Sequence, residues 1–348
     1  MKILIIKLSS IGDVAHTLPC LSALRSAYPH AKIDWLVEEG PSEILNNHPL
    51  LNEAHVIKKR GWFNDFKGSW SIAKKIKSIG YDIVIDFQGL FKSGIWVFLS
   101  RGKRRVGYDK SREFSYLFLN ERLPQYNPDR HAVDRYLDVV KYLGLKCDIV
   151  EFPIYISEHE KKRVGALLKS NDMGDRTPFL VVNPVARWKT KLWGARKFVD
   201  LCNKLTDKLS CKIVIIGASS EGEIDKIMRS ANNNVVNFAG RLNLKELAYI
   251  MSLSSMVITV DSGPMHIAAA MSVPVIAIFG PTAPWRTGPY GKGHTVIRKE
   301  LSCSPCFSRS CNNNMACMED IEVGDVVKAV ENKFHVLREK VGGLHFTT

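Results

Sequence analysis

Apolar runs and polar, glycine-containing turns alternate along the first half of the chain. Lys2 to Lys7 is a continuous β-branched and leucine-rich run typical of a buried parallel strand, and a polar turn from Ser9 to Asp13 follows it. The next apolar positions, up to Pro29, have helical spacing. The same order recurs, and it predicts strands at 32–40, 55–59 and 81–89 and a helix at 70–80.

The pattern restarts after residue 170, where the polar stretch 170–178 indicates a linker. Beyond it the chain is predicted to alternate strands with helices: strands at 179–184, 211–219, 254–263 and 273–281, helices at 195–210, 243–254, 264–272 and 323–340. Such alternation indicates an α/β protein with parallel, doubly wound sheets. We therefore predict two domains, 1–168 and 177–321, followed by a terminal helix in 322–348. Because ligands of open α/β sheets bind at the carboxyl ends of the strands, the predicted site lies in the cleft between the domains.

The length and charge of the chain limit its domain number, its location in the cell and the classes of partner it can bind. A chain of 348 residues suits two domains, and no run approaches the ~18 apolar residues of a membrane helix. Its opening apolar run is too short for a signal peptide, so we expect a cytoplasmic protein. The net charge of +14 favours an anionic partner: nucleic acid, an anionic membrane face or a phosphorylated substrate. Basic runs near aromatic residues, at 58–60 and 101–105, are solvated surface or a surface for anionic lipid or sugar phosphate.

Asp13 lies at the mouth of the first predicted helix, where the helix dipole favours the ionised carboxylate. Gly12 beside it permits a ligand or another backbone to come close. A carboxylate in this position can accept the proton of a sugar hydroxyl as that oxygen attacks. The alternative is that Asp13 only caps the helix.

A second strand end carries the sequence from Thr259 to His266, with a helix predicted to begin at Pro264. The free N–H groups of that helix end can hold a diphosphate, and Asp261 and Ser262 can reach sugar or ribose hydroxyls. The alternative is capping by Asp261 or Ser262, with His266 as a structural helix residue.

Lys191 follows the first strand of the second half, so it is predicted at the same edge as Asp261. A lysine there can neutralise a phosphate leaving group, whereas Trp193 is predicted to pack against the next helix. Glu221 is either a ligand of a ribose diol or a surface acid. The chain has no phosphate-binding GxxxxGK[ST] motif, no GxGxxG after its first strand, and no Asp-x-Asp pair for a metal-bound nucleotide sugar.

Four of the eight cysteines fall within fifteen residues, as Cys303-x2-Cys306-x4-Cys311-x5-Cys317. Four thiols this close fit a structural zinc or an iron–sulfur site, although the spacing matches no familiar finger or ferredoxin. Reduced thiols, or disulfides formed on oxidation, are the alternative.

Together these motifs carry a family resemblance that keeps its order over most of the chain. They are K-x-S-S-x-G-D-V-x-H-T-L-P at the start, D-W-L-V-E-E-G from Asp34, V-I-D-F-Q-G-L-F-K-S from Val84, K-x-W at Lys191 and D-S-G-x-x-H-I-A-A-A from Asp261. The chain resembles the lipopolysaccharide heptosyltransferases of glycosyltransferase family 9, especially those that add the first heptose to the Kdo residue of Kdo-lipid A. The resemblance implies a GT-B fold of two Rossmann-like domains, with the last helix crossing back to the first domain.

The resemblance also implies the chemistry. It implies an ADP-heptose donor, a Kdo-lipid A acceptor, an inverting displacement without metal or cofactor, and work at the cytoplasmic face of the inner membrane. Asp13 matches the general base. The expected donor-binding residues are Lys191, Glu221, Asp261, Ser262, Gly263 and His266, and the expected acceptor-binding residues are Ser10, Gly12, Lys58, Lys59 and Arg60. Ala186 and Arg187 occupy positions where some members have hydroxyl residues near the diphosphate. Hydroxyl contacts with the diphosphate are therefore not expected from these two residues.

Two alternatives remain open. One is a related glycosyltransferase that uses another sugar donor or another core acceptor. The other is a non-catalytic protein that binds nucleotides or nucleic acid through its basic surface and cysteine cluster, which predicts DNA or RNA binding that weakens steeply with salt. A non-catalytic binding protein would not account for the Asp13 and Asp261 motifs, so we expect no nucleic-acid partner.

Overall fold

The computed structural model describes residues 1–59, 64–174, 177–218 and 222–342, with side chains to residue 334. The chain divides into two units, Met1–Tyr155 and Ile156–Thr348. In the described residues no helix is long and apolar enough to cross a membrane.

Six parallel strands form the sheet of the first unit, in the order β3-β2-β1-β4-β5-β6. They are β1 (Lys2–Ile6), β2 (Lys32–Glu38), β3 (Glu53–Ile57), β4 (Ile83–Asp86), β5 (Arg104–Tyr108) and β6 (Glu121–Leu123). The helices are α1 (Ile11–Ala27), α2 (Glu39–Leu45), α3 (Phe66–Ile79), α4 (Phe91–Ser100) and α5 (Ala132–Tyr142), with a 3-10 helix at Arg112–Phe118.

The second unit repeats this plan, with six parallel strands in the order β12-β11-β10-β7-β8-β9. They are β7 (Phe179–Asn183), β8 (Lys212–Ile215), β9 (Val235–Asn237), β10 (Met256–Val260), β11 (Val275–Ile278) and β12 (Thr295–Ile297). The helices are α6 (Glu158–Lys169), α7 (Ala195–Leu209), α8 (Gly222–Ser230), α9 (Leu244–Leu253), α10 (Gly263–Ala270), α11 (Pro284–Thr287), α12 (Ala316–Glu319) and α13 (Val323–Gly342), with a 3-10 turn at Lys189–Lys191.

Both sheets have the strand order of a dinucleotide-binding domain, 3-2-1-4-5-6 when each sheet is numbered along the chain. The order reverses beside the first strand, between β1 and β4 in one unit and between β7 and β10 in the other. The predicted doubly wound α/β class is confirmed. Each sheet therefore has one switch point, where the connections that follow two adjacent strands run in opposite directions. The crevice between these connections leaves room for a ligand.

Local sequence explains why these elements begin where they do. In β1 every residue after Lys2 is buried, as the apolar run predicts. Helix α1 begins at Ile11, earlier than the apolar spacing suggested, because Ser10 and Asp13 form a reciprocal capping box around its first turn. In α10, Ser262 is the N-cap and Pro264 lies in the first turn, where its missing N–H costs nothing.

The boundary between the units differs from the predicted one. Residue 168 lies inside α6, which packs against α9 of the second unit. Arg163 on α6 forms an ion pair with the buried Glu246 on α9, 3.2 Å apart. Helix α13 packs against α7, β11 and β12, so its described part contacts the second unit. Its predicted return to the first domain stays a prediction.

Candidate active site

The residues predicted from the first motif lie at the switch point of the first sheet. The turn from Ser9 to Asp13 follows β1, and Asp86 ends β4, the strand beside it. Gly12 is buried and Asp13 is half-buried. Because β1 and β4 are parallel neighbours, their carboxyl ends bring Asp13 and Asp86, 73 positions apart in the chain, to one edge of the sheet.

The Asp13 carboxylate is held by donors on both of its oxygens. Its Oδ2 accepts hydrogen bonds from the backbone N–H and the hydroxyl of Ser10, each 2.9 Å away. Its Oδ1 accepts from the Tyr136 hydroxyl at 3.3 Å and lies 3.9 Å from the Lys7 ammonium. Both predicted roles of this residue are therefore compatible, since one oxygen serves the helix cap while the other faces Tyr136 and Lys7.

Lys7 is a buried cation that the sequence analysis did not single out. It is only 2% exposed, and its ammonium donates to the Tyr136 hydroxyl at 2.6 Å and to the Phe87 carbonyl at 3.0 Å. Burial lowers the pKa of Lys7, while the nearby Asp13 and Asp86 carboxylates act to raise it. The sequence signal for it was its place directly after β1, as the first residue of the K-x-S-S-x-G-D motif.

Asp86 is the second carboxyl of this site, and unlike Asp13 it is buried. Burial raises its pKa to about 6, against the opposing effect of hydrogen bonds from Gly89, Ser93 and Gln88. The side chain of Gln88 also accepts from the backbone N–H groups of Leu8 and Ser9, both at 3.1 Å. The turn after β4 therefore fixes the position of the turn that carries Asp13.

The expected acceptor-binding cations are only partly described. Lys58 and Lys59 follow β3 at the same sheet edge, and Lys58 lies 3.5 Å from the Asp65 carboxylate. Arg60 lies outside the described residues. Lys92, which the sequence analysis did not assign, donates to Glu38 at 2.7 Å and to the Ser9 hydroxyl at 3.2 Å.

The basic run at 101–105 carries less free charge than its composition suggested. Lys103 pairs with Asp82 and Arg104 pairs with Glu121, each at 2.7 Å. These intramolecular partners offset two of its cations.

In the second unit Lys191 follows β7 and Asp261 follows β10, the two neighbouring strands at the switch point. The Lys191 ammonium lies 2.5 Å from Oδ2 of Asp261, and the Thr282 hydroxyl donates to the same oxygen at 2.5 Å. Asp261 is buried and Lys191 is mostly buried. The two side chains form an ion pair with each other, and their contacts with the donor stay a prediction.

Three further residues predicted for donor binding lie at the start of α10, directly after Asp261: Ser262, Gly263 and His266. The Asn183 amide, at the end of β7, donates to the hydroxyls of Ser262 at 2.7 Å and Thr259 at 3.0 Å. Gly263 begins α10, and His266 is half-buried one turn later. Glu221 lies outside the described residues.

Trp193 packs as predicted against the helix that follows it. It is fully buried, its ring meets Phe198 of α7 edge to face at 5.0 Å, and its indole N–H donates to the Ile321 carbonyl at 2.9 Å.

The four clustered cysteines are free thiols, three of them exposed and Cys317 buried. Within the described ranges no three His, Cys, Asp or Glu side chains are arranged to hold a metal ion.

The family model for glycosyltransferase family 9 (heptosyltransferase) matches residues 69–316, well over half of the chain. The chain belongs to glycosyltransferase family 9. It is therefore a glycosyltransferase rather than a non-catalytic binding protein, and its fold is GT-B.

The chain is also similar in sequence and in structure to individual heptosyltransferases. The chain is 30% identical to lipopolysaccharide heptosyltransferase 1 of Pseudomonas aeruginosa, over 89% of this chain and 87% of the relative. It is also 30% identical to lipopolysaccharide heptosyltransferase 1 of Escherichia coli K12, over 86% of this chain and 93% of the relative. The structure of E. coli heptosyltransferase WaaC with ADP-2-deoxy-2-fluoro heptose superimposes with a TM-score of 0.75 at 26% identity, covering 95% of this chain and 99% of WaaC. These relatives make it a heptosyltransferase of the lipopolysaccharide core.

Proposed function

We propose that the enzyme transfers L-glycero-D-manno-heptose from ADP-heptose to the Kdo residue of Kdo-lipid A, with inversion and without a metal ion. The observation that carries this proposal is the Asp13 carboxylate, held at a sheet switch point with one oxygen on Ser10 and the other beside Tyr136 and Lys7. A carboxylate held by neighbouring donors is oriented for proton transfer before substrate arrives.

In this mechanism Asp13 accepts the proton of an acceptor hydroxyl. That oxygen forms a bond to the anomeric carbon of the heptose, and the bond from that carbon to the diphosphate oxygen breaks on the opposite face. The electron pair leaves with ADP, and Asp13 retains the proton until solvent takes it. Attack opposite to the leaving group accounts for inversion.

On the donor side, Lys191 and the first turn of α10 offset the charge that builds on the diphosphate. An ammonium has three donors, so Lys191 can keep one on Asp261 and direct another at a phosphate oxygen. The N-terminus of α10 adds free N–H groups and the positive end of its dipole. The similarity to WaaC, solved with an ADP-heptose analogue, supports an ADP-sugar donor. Ser262, Gly263, His266 and Glu221 complete the proposed donor set.

We also infer that the enzyme works at the anionic cytoplasmic face of the inner membrane. The net charge of +14 supports this, together with an apolar surface on α4 and the 3-10 helix. Phe91, Phe98, Phe114 and Leu117 are between 51% and 67% exposed there. Vesicles that contain anionic lipid should bind the enzyme more tightly than neutral vesicles, and salt should weaken that binding. Binding that is indifferent to salt and lipid charge would contradict this account.

The first experiment is turnover of ADP-heptose with Kdo-lipid A in the presence of EDTA, for the wild type and Asp13→Asn. Wild type should release ADP, and the variant should turn over about 10²- to 10⁴-fold more slowly with nearly unchanged ADP affinity. Asp148→Asn, at an exposed position of the same unit, is the matched control.

Each failure of this experiment has its own meaning. Near-normal turnover by Asp13→Asn would remove Asp13 as the base. Wild type that binds ADP-heptose without releasing ADP would indicate another core acceptor. Wild type that does not bind ADP-heptose would indicate another sugar donor, and loss of turnover in EDTA would indicate a metal.

A further inference from the structure

The cysteine loop, defined here as residues 303–317, is tied to the turn that follows β11. The Ser304 hydroxyl donates to the Gly280 carbonyl at 2.7 Å, and the Phe307 N–H donates to the Pro281 carbonyl at 2.8 Å. The Sγ of Cys311 accepts two backbone N–H groups, from Asn313 and Met315, both at 3.4 Å. The middle of the loop therefore has a defined path over the second unit.

All four cysteines of this loop line one small cavity of about 20 Å³, which Thr190 also lines. Thr190 belongs to the 3-10 turn that carries Lys191, and its buried hydroxyl donates to the Ser308 carbonyl at 2.9 Å. This hydrogen bond joins the loop directly to the turn of the proposed donor site.

The residue after Ser308 is Arg309, and its guanidinium carbon lies 5.1 Å from the centroid of the Trp188 ring. The Lys191 ammonium lies 4.7 Å from the same centroid. Two cations thus gather around one indole. Lys191 has the Asp261 carboxylate, but among the described residues no carboxylate lies within ion-pair distance of Arg309.

We propose that Arg309 binds the diphosphate of the donor, so that the cysteine loop forms a wall of the donor site. This inference rests on the proposed ADP-sugar donor. The ammonium of Lys191 and the guanidinium of Arg309 both lie near the Trp188 ring, and a diphosphate that contacts both groups would offset their like charges. A guanidinium presents parallel N–H donors that match two phosphate oxygens, which an ammonium cannot do.

The proposal gives the loop a role in binding. Its hydrogen bonds to Gly280, Pro281 and Thr190 hold the backbone, and the contact with the Trp188 ring restrains the guanidinium. A long side chain restrained in this way loses less freedom when ligand binds.

The test is calorimetric binding of ADP and AMP to the full-length wild type, Arg309→Gln and Arg309→Lys. Arg229→Gln, at an exposed arginine in the last turn of α8, is the matched control. Arg309→Gln should weaken ADP binding about tenfold, Arg309→Lys less, and the control not at all. The loss should be smaller for AMP, which lacks the second phosphate, and smaller in high salt. Thr190→Val, which cuts the tie to Ser308, should also weaken ADP binding.

Unchanged ADP affinity in Arg309→Gln, or a loss at least as large for AMP, would overturn the proposal. Thermal denaturation of each variant separates these results from a folding defect, because a folded variant retains the wild-type transition. If the wild type itself does not bind ADP, the donor assignment fails instead, so the two failures are distinguishable.

Discussion

The hydroxyl of Tyr136 donates to Oδ1 of Asp13 from 3.3 Å, across 123 positions of the chain. Tyr136 in turn accepts a hydrogen bond from Lys7 at 2.6 Å, so a buried cation is linked through one hydroxyl to the proposed base. The Tyr136 hydroxyl therefore orients the Asp13 carboxylate, with the Lys7 ammonium 3.9 Å from the same oxygen.

Tyr136→Phe should lower kcat about tenfold and leave the KM for ADP-heptose unchanged. The carboxylate loses a donor that favours its ionised form, so the acidic limb of the pH–rate profile should move to higher pH. Initial rates across the pH range would measure both effects. Tyr142→Phe, an exposed tyrosine of the same helix α5, is the control. A profile that falls in amplitude without moving would show that Tyr136 only packs.

Asp86→Asn should reveal the cost of a buried carboxyl. Burial raises the pKa of Asp86 from 3.8 to about 6, so the folded state keeps a proton that the unfolded state releases between these values. Wild-type stability from this group is therefore lost as pH rises through that window, by about 3 kcal/mol in total. The unfolding free energy of Asp86→Asn relative to wild type should increase by about this amount between pH 4 and pH 7.5. Urea unfolding at both pH values measures it, and an equal difference at both would contradict the expectation.

The Lys191–Asp261 pair should contribute to stability as well as to binding. Asp261→Asn leaves a mostly buried ammonium without its carboxylate and should lower the unfolding free energy by about 2–4 kcal/mol. In Lys191→Met/Asp261→Asn the loss should be smaller than the sum of the two single losses, because the partners are removed together. Thermal denaturation of the four proteins tests this. Strict additivity would mean that the observed pairing contributes nothing.

Trp193 should matter to folding and not to catalysis. Trp193→Ala removes a fully buried ring and should cost about 3–5 kcal/mol, whereas Trp193→Phe keeps the packing and loses the hydrogen bond to Ile321, about 1–2 kcal/mol. Both proteins should bind ADP normally at temperatures where they remain folded. A weaker ADP affinity in folded Trp193→Phe would assign this residue to the donor site.

Long apolar strands and the turns that follow them were predictable from the chain. The predicted strands correspond to β1, β2, β3, β4, β7, β8, β10 and β11, because runs of β-branched residues between polar turns indicate buried parallel strands. The predictions did not include β5, β6, β9 and β12. Three of these have only three residues, too few to show a period, and β5 lies in a run whose arginines and lysine indicated surface.

By itself the sequence determined the α/β class, the family, and the two strand-end motifs that carry Asp13 and Asp261. These are local properties, since a strand end and the helix after it are adjacent in the chain. Only the tertiary structure decided which side chains meet at each end. Lys7 is surrounded by Tyr136 and Asp86, which belong to other elements of the fold. Lys191 pairs with Asp261 because the strands that precede them, β7 and β10, are neighbours in the sheet. Pairing between distant residues depends on strand order, which no local pattern of apolar and polar positions encodes.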